Sequence, residues 1–226
     1  GHVTGKSIYV DDIPTIKETI YGVALGSPVA HGNIESIDYK KALDLPGVIK
    51  ILTYEDIPGE NQIGGIIPDE ELFASKDVHF AGQPIALIIA ESNQTAYEAR
   101  KLAEINISEK KVIVDPREAQ QKDQLILPPR TFSLGDTESA WQKCAHVFKG
   151  QAHSNGQEHL YIETQGAYAV PLENGHIRIS SSTQGPTAVQ RTTAKVLNVG
   201  MHKIEVDVVR IGGGFGGKED QATPWA

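Results

Sequence analysis

Residues Gly212 to Glu219 read Gly-Gly-Gly-Phe-Gly-Gly-Lys-Glu: five glycines in the first six positions, then a cation and an anion. Glycine at this density strips a loop of side chains, so its backbone can approach a bound group closely. Two phosphate-binding spacings fit. Gly212, Gly214 and Gly217 satisfy G-x-G-x-x-G after a strand, and Gly212 with Gly217-Lys218 satisfies G-x-x-x-x-G-K. The second pattern breaks at Glu219, where magnesium needs a Ser or Thr hydroxyl and a carboxylate repels a triphosphate. The first has no βαβ unit visible beyond it. Spacing alone leaves nucleotide binding and a structural turn as equal alternatives.

The elements that must hold this loop are legible on its N-terminal side. Ile204 to Ile211 is rich in β-branched residues and reads as a strand. Pro186 to Leu197 reads as a helix with Pro in its first turn. Tyr161 to Val170 and His176 to Ser180 read as a hairpin turned at Asn174-Gly175. A helix is expected to start after the glycine loop, and a binding site with a missing second wall is the expectation there.

The first half reads as two strand–helix–strand units. Tyr21 to Leu25 is a strand, Ile37 to Leu43 a helix stopped by Pro46-Gly47, and Val48 to Leu52 a strand. In the second unit, Ile85 to Ile89 is an unbroken apolar run that suits a strand buried on both faces. Ser92 or Asn93 caps a helix carrying Ala96, Ala99, Leu102 and Ala103 on one side, and Ile105 to Val114 returns as strand. Pro58 to Asp77 is an irregular excursion. Asp115 to Pro129 reads as an extended linker, Asp136 to Lys143 as a short helix and Ala145 to Ala152 as a strand. The expected class is α+β.

Composition narrows the function classes. The 226 residues carry 21 Lys and Arg against 29 Asp and Glu, a net charge of −8 with no clustered basic face, which argues against nucleic-acid binding. Lys40-Lys41 and Lys110-Lys111 are expected on solvated surface. The longest apolar run, Ile85 to Ala90, is too short to span a membrane, and no signal segment is visible, so the cytoplasm is expected. The single cysteine, Cys144, excludes an internal disulfide and a Cys₄ metal site from this chain alone. It is expected in the core of a helical Ser139 to Ala145 stretch. His153, His159, Glu158 and Glu163 are acceptable metal-ligand types without the spacing of a closed site, so structural roles are expected. Asp11-Asp12 reads as a turn, and His31 is assigned no chemistry.

Three segments in order are more specific than the loop: Gln157-Glu-His-Leu-Tyr-Ile-Glu-Thr-Gln165, Ser182-Thr-Gln-Gly-Pro186 and the Gly212 to Glu219 octet. Together they resemble the molybdenum-binding part of the xanthine dehydrogenase and aldehyde oxidase family. Gly5-Lys-Ser-Ile-Tyr-Val-Asp-Asp-Ile-Pro14 and Ala30-His31 resemble the opening of that family's α/β hammerhead domain. The resemblance covers essentially the whole chain. It implies a hammerhead domain over 1–114, a linker over 115–134, and over 135–226 the first part of a mixed α/β molybdenum-cofactor-binding domain.

Members of this family hydroxylate a carbon beside nitrogen or oxygen, with water as the oxygen source, on a molybdenum held by a pterin dithiolene. Electrons leave through 2Fe-2S clusters to FAD. The hard chemistry is the cofactor's, and the protein orients and polarises. By motif position, the resemblance places Gln184 as the amide that donates to the oxo ligand, and Gly214, Phe215 and Gly216 as the loop against the cofactor. Gln184 and Phe215 thus lie in the molybdenum environment without ligating it through their side chains. Taken only as residues, Gln184 is a polar helix-flanking group, Phe215 a hydrophobic anchor and Glu219 a helix-start acid.

Glu219 matches the glutamate that binds the purine in xanthine dehydrogenases, where aldehyde oxidases tend to carry an apolar residue. It therefore points to oxidation of hypoxanthine and xanthine toward urate. An aldehyde or other N-heterocycle hydroxylase is the alternative within the family. A non-catalytic scaffold binding a partner subunit is the alternative outside it. The family's general base and its purine-binding arginine fall beyond Ala226, so no catalytic residue is assigned here and this stretch alone is expected to be inactive. The implied partners are the remainder of the molybdenum subunit, the iron–sulfur and FAD domains or subunits, and a purine; neither nucleic acid nor membrane is implied. The iron–sulfur and FAD groups belong to those other parts, and the fragment itself need not carry cofactor.

Overall fold

A computed structural model describes residues Gly1 to Ala226. Gly1–Lys111 and His159–Ala226 form one compact unit, and Val112–Glu158 forms a second. In the larger unit, the N-terminal half contains strands β1 (Tyr21–Gly26) and β2 (Gly32–Asp38), helix α1 (Lys40–Leu43), strands β3 (Val48–Leu52), β4 (Asp77–Val78) and β5 (Pro84–Ala90), helix α2 (Asn93–Leu102) and strand β6 (Glu104–Glu109). They make two three-stranded sheets, ordered β1-β5-β3 and β4-β2-β6.

Strand β5 is the centre of this half. Both of its partners are antiparallel to it. Side chains alternate between faces along a strand. Ala86, Ile88 and Ala90 therefore join one core with Val23, Leu25, Ile51, Ala96 and Ala99, while Ile85 joins another with Ala74 and Val78. Burial on both faces is what the unbroken apolar run implied. Ala96 and Ala99 are fully buried, and their small side chains let α2 lie close on the sheet. The Ser92 hydroxyl accepts from the Thr95 N–H at 3.0 Å and caps this helix.

The helix expected over Ile37 to Leu43 is confined to Lys40–Leu43, and Ile37 belongs to β2. A register shift between Ile34 and Ser36 leaves Ile34 opposite Ile107 and Ile37 opposite Ile105. Both isoleucines pack against the core of Ala74, Val78 and Ile85. The bulge gives two residues three apart a common face, a spacing that otherwise marks a helix. Strand β6 ends at Glu109, short of Val114, which is exposed.

The smaller unit holds helices α3 (Pro116–Gln121) and α4 (Thr137–Lys143). The stretch read as a linker thus contains a helix, capped by the Asp115 carboxylate accepting from the Arg117 N–H at 2.8 Å. Asp136 caps α4 in the same way through the Ser139 N–H. Ala145 to Ala152 forms no strand, because no neighbouring strand offers it a ladder; Phe148 is exposed. Cys144 is exposed and not in a core, since α4 buries no residue.

The C-terminal half of the larger unit contains strands β7 (Ala167–Pro171) and β8 (Ile177–Ser181), helix α5 (Pro186–Val196) and strand β9 (Ile204–Asp207). The sheet order is β7-β8-β9, with β7 antiparallel and β9 parallel to β8. The hairpin is present, although its first strand begins at Ala167 and not at Tyr161. Strand β9 is likewise shorter than the Ile204 to Ile211 run, and the residues after the glycine octet form turns, not a helix. Val189, Thr193 and Ala194 are the buried face of α5, with Ala194 packed on Ile179 and Ile204.

Ile88→Ala is expected to destabilise the larger unit by about 2–5 kcal/mol. Ser92→Ala is expected to cost about 1 kcal/mol through the lost cap. Denaturant midpoints followed by far-UV circular dichroism check both, and equal losses would deny β5 its central place.

Candidate functional site

The β8-α5-β9 arrangement fixes where a site can form. In parallel α/β units, ligands bind beyond the carboxyl ends of the strands, close to helix N-termini. Here the chain leaving β8 runs through Ser182-Thr183-Gln184 into α5, and the chain leaving β9 runs into the glycine octet. Those two segments are stitched together. The Gln184 N–H donates to the Lys218 carbonyl at 2.7 Å, and the Thr183 hydroxyl donates to the same oxygen at 3.2 Å.

The side-chain amide of Gln184 is oriented by the octet. Its Oε1 accepts from the Gly216 N–H at 3.0 Å and the Lys218 N–H at 3.3 Å. Two backbone donors on one oxygen settle which end of the carboxamide faces the loop. The Nε2 group forms no hydrogen bond, and the residue is exposed. Gly214 is required for this fit, because a Cβ there would stand 2.5 Å from Gln184 Oε1. Phe215 and Gly216 both have positive φ, at 50° and 88°. This turn leaves Phe215 74% exposed. The N–H groups of Gly213, Gly214 and Phe215 have no partner within the chain.

Beneath the loop lies a buried polar cluster. Lys218 is fully buried. Its ammonium donates to the Glu163 carbonyl and to Ser182 Oγ, each at 2.6 Å, and lies 3.5 Å from Glu163 Oε2. The Tyr161 ring centroid is 4.5 Å away. Glu163 Oε2 accepts from the Ser182 hydroxyl at 2.7 Å and the Gly212 N–H at 2.6 Å, while Oε1 accepts from the Val10 N–H at 3.3 Å. Burial pushes the Glu163 carboxyl up, but those hydrogen bonds and the Lys218 charge together outweigh it and hold the carboxyl below its ordinary range. Gln165 Nε2 donates to the Gly217 carbonyl at 2.8 Å and to the Tyr161 hydroxyl at 3.1 Å, closing the underside.

This burial disposes of the G-x-x-x-x-G-K reading. A phosphate-binding lysine must reach solvent, and the ammonium of Lys218 is committed to three protein oxygens. Glu219, by contrast, is exposed, and its carboxylate forms no hydrogen bond or ion pair. It directly follows the peptide group that holds Gln184. The structure therefore gathers Gln184, Gly214, Phe215, Gly216 and Glu219 around one loop. Of the histidine and glutamate set, His159 packs beside Gly217 and Tyr161, Glu163 supports Gly212, and His153 faces Asn155 Oδ1 at 3.1 Å. Asp11 and Asp12 lie in a single 3₁₀ turn. Sequence reasoning missed Lys218, Ser182, Gln165 and Tyr161 as the supports of the loop. The signal was a lysine placed directly behind the glycines with no ligand pattern to employ it.

Comparison with known proteins agrees with this geometry. Residues 4–111 match the model of the aldehyde oxidase and xanthine dehydrogenase a/b hammerhead domain, and residues 118–226 match that of the molybdopterin cofactor-binding domain. The chain belongs to the aldehyde oxidase and xanthine dehydrogenase family. It is 39% identical over 220 residues to xanthine dehydrogenase of Dictyostelium discoideum, covering 97% of this chain and 16% of that one. It is 34% identical over 224 residues to aldehyde oxidase 2 of Cavia porcellus, covering 98% and 16%. Among solved structures it resembles quinoline 2-oxidoreductase from Pseudomonas putida 86, with a TM-score of 0.80, 25% identity, and coverage of 98% of this chain and 31% of that one. The chain thus spans about a sixth of the length of the curated relatives. No helix is long and apolar enough to cross a membrane.

A carboxylate held below its ordinary value stabilises the fold above that value, and the contribution is lost as pH falls from there through the lowered value. Glu163→Gln is expected to lower the melting temperature at pH 7, and the gap to the parent is expected to narrow below about pH 4.5. Melting curves from pH 7 to 3 check this, and a constant gap would show that the carboxylate charge is irrelevant.

Proposed function

We propose that this chain is the hammerhead and leading cofactor-domain portion of a molybdenum hydroxylase that oxidises hypoxanthine and xanthine toward urate. The proposed division is a hammerhead over 1–114, a linker over 115–134 and cofactor domain over 135–226. The observation that carries the cofactor assignment is Gln184: its oxygen is occupied by the octet, and its exposed Nε2 is left to donate. An amide N–H can donate to an oxo group without adding charge to it.

The residues present suit such a group. Gln184 would hold its oxo face, and the unpartnered amides of Gly214 and Phe215 would line it where no Cβ intervenes at Gly214 and Gly216. When bound, the molybdenum-pterin group supplies the activated oxygen and takes up the electron pair. Phe215 would offer an apolar face to a flat ring and exclude water from it. Glu219 would accept from a ring N–H of a purine. A substrate without that N–H would cover the carboxylate and leave it without a partner, which rejects it. Iron–sulfur and FAD domains or subunits, and the remainder of the molybdenum subunit, are the proposed partners.

The relatives include aldehyde oxidases, so the substrate is the point to test. In the full-length protein, normalised to molybdenum content, xanthine is expected to be oxidised in preference to an aromatic aldehyde. Glu219→Val is expected to lower kcat/KM for xanthine by about a hundredfold while sparing aldehydes, since the polar partner is lost and an apolar wall gained. Unchanged xanthine kinetics would remove Glu219 from substrate binding; preference for the aldehyde in the unaltered protein would overturn the purine assignment.

A further inference from the structure

Lys218 is the ionised group that the octet buries completely, and neither cofactor nor substrate, as placed above, makes use of it. A lysine that only solvated its surroundings would extend its ammonium to water. This one is turned inward onto the Glu163 carbonyl, Ser182 Oγ and the Glu163 carboxylate, with the Tyr161 ring over it. The ammonium makes two hydrogen bonds, and its charge is offset by a carboxylate and an aromatic face.

The same residue grips Gln184 through its two peptide groups. The Lys218 N–H donates to Gln184 Oε1, and the Lys218 carbonyl accepts from the Gln184 N–H. Anchoring the side chain below therefore fixes the peptide groups above. Glu163 adds a second fixed point, since its Oε2 also holds the Gly212 N–H at the start of the octet. A glycine-rich loop has little conformational preference of its own, so its shape must come from such anchors.

We propose that Lys218 is a positioning residue whose buried ammonium, seated on Glu163, Ser182 and Tyr161, locks the octet in the arrangement that turns the Gln184 NH₂ outward. This rests on the role proposed for Gln184. Lys218→Met keeps the length of the side chain and removes its charge. Amide hydrogen exchange of the full-length protein reads the loop directly. In K218M, the amides of Gln184, Gly212, Gly216 and Lys218's position 218 are expected to exchange at least about tenfold faster, with those of β5 unchanged. Exchange at wild-type rates would overturn the proposal.

Ser182→Ala removes one acceptor, retains both charges, and serves if K218M does not fold. About threefold faster exchange at the same amides is expected, and no change would likewise overturn the proposal. In the cofactor-loaded protein, a residue that acts through Gln184 adds nothing once Gln184 is gone, so Q184A with K218M is expected to turn over at the rate of Q184A alone. Losses that multiply would show that Lys218 acts by another route. Full activity of Q184A would instead refute the role of Gln184, and the exchange rates would still decide whether Lys218 holds the loop.

Discussion

A primary carboxamide has a donor end and an acceptor end, and its neighbours decide which one meets a ligand. In this chain the decision is made by two backbone N–H groups, those of Gly216 and Lys218, which converge on Gln184 Oε1. Much of the larger unit serves that convergence. Parallel strands β8 and β9 bring the two segments side by side at their carboxyl ends. Gly214 leaves the room that any Cβ would take. The Glu163 carboxylate, joined to Val10 on one side and Gly212 on the other, ties the beginning of the chain to the loop.

The electrostatics follow from the same arrangement. A buried carboxylate or ammonium alone would be costly, and breaking such a pair leaves the survivor uncompensated. Glu163 and Lys218 each meet the other together with Ser182, so none of these three lacks a partner. Gln184 Nε2, the amides of Gly213, Gly214 and Phe215, and the Glu219 carboxylate form no hydrogen bond within the chain, and beneath the loop the buried Gln165 Oε1 has no partner either. A loop that leaves several donors and a carboxylate unpaired differs in this from a turn that only reverses the chain.

What the sequence disclosed depended on how local the signal was. The glycine octet, the helix after Gln184 and the apolar run of β5 all carry their meaning within a few residues, and the structure contains each of them. The supports of Lys218 lie 55 and 36 residues away at Glu163 and Ser182, so no local pattern could connect them. Ile37 reads as part of the helix that follows it, but a bulge in β2 sets it beside Ile34 on one face of the sheet. Ala145 to Ala152 has strand-like residues but no strand to pair with, and α3 was hidden within polar, proline-flanked sequence. Propensity reports what a segment can do, and partners decide what it does.

In the proposed reading, molybdenum hydroxylation is the chemistry and the loop residue Glu219 bears the choice of substrate. The most direct measurement is a crystal structure of the full-length, cofactor-loaded protein with a slowly turned-over purine bound. The expected result is a Glu219 carboxylate oxygen within about 3 Å of a purine ring nitrogen, with Gln184 Nε2 directed at the cofactor. A purine seated with Glu219 beyond hydrogen-bond reach, or with the Gln184 carboxamide reversed, would contradict it.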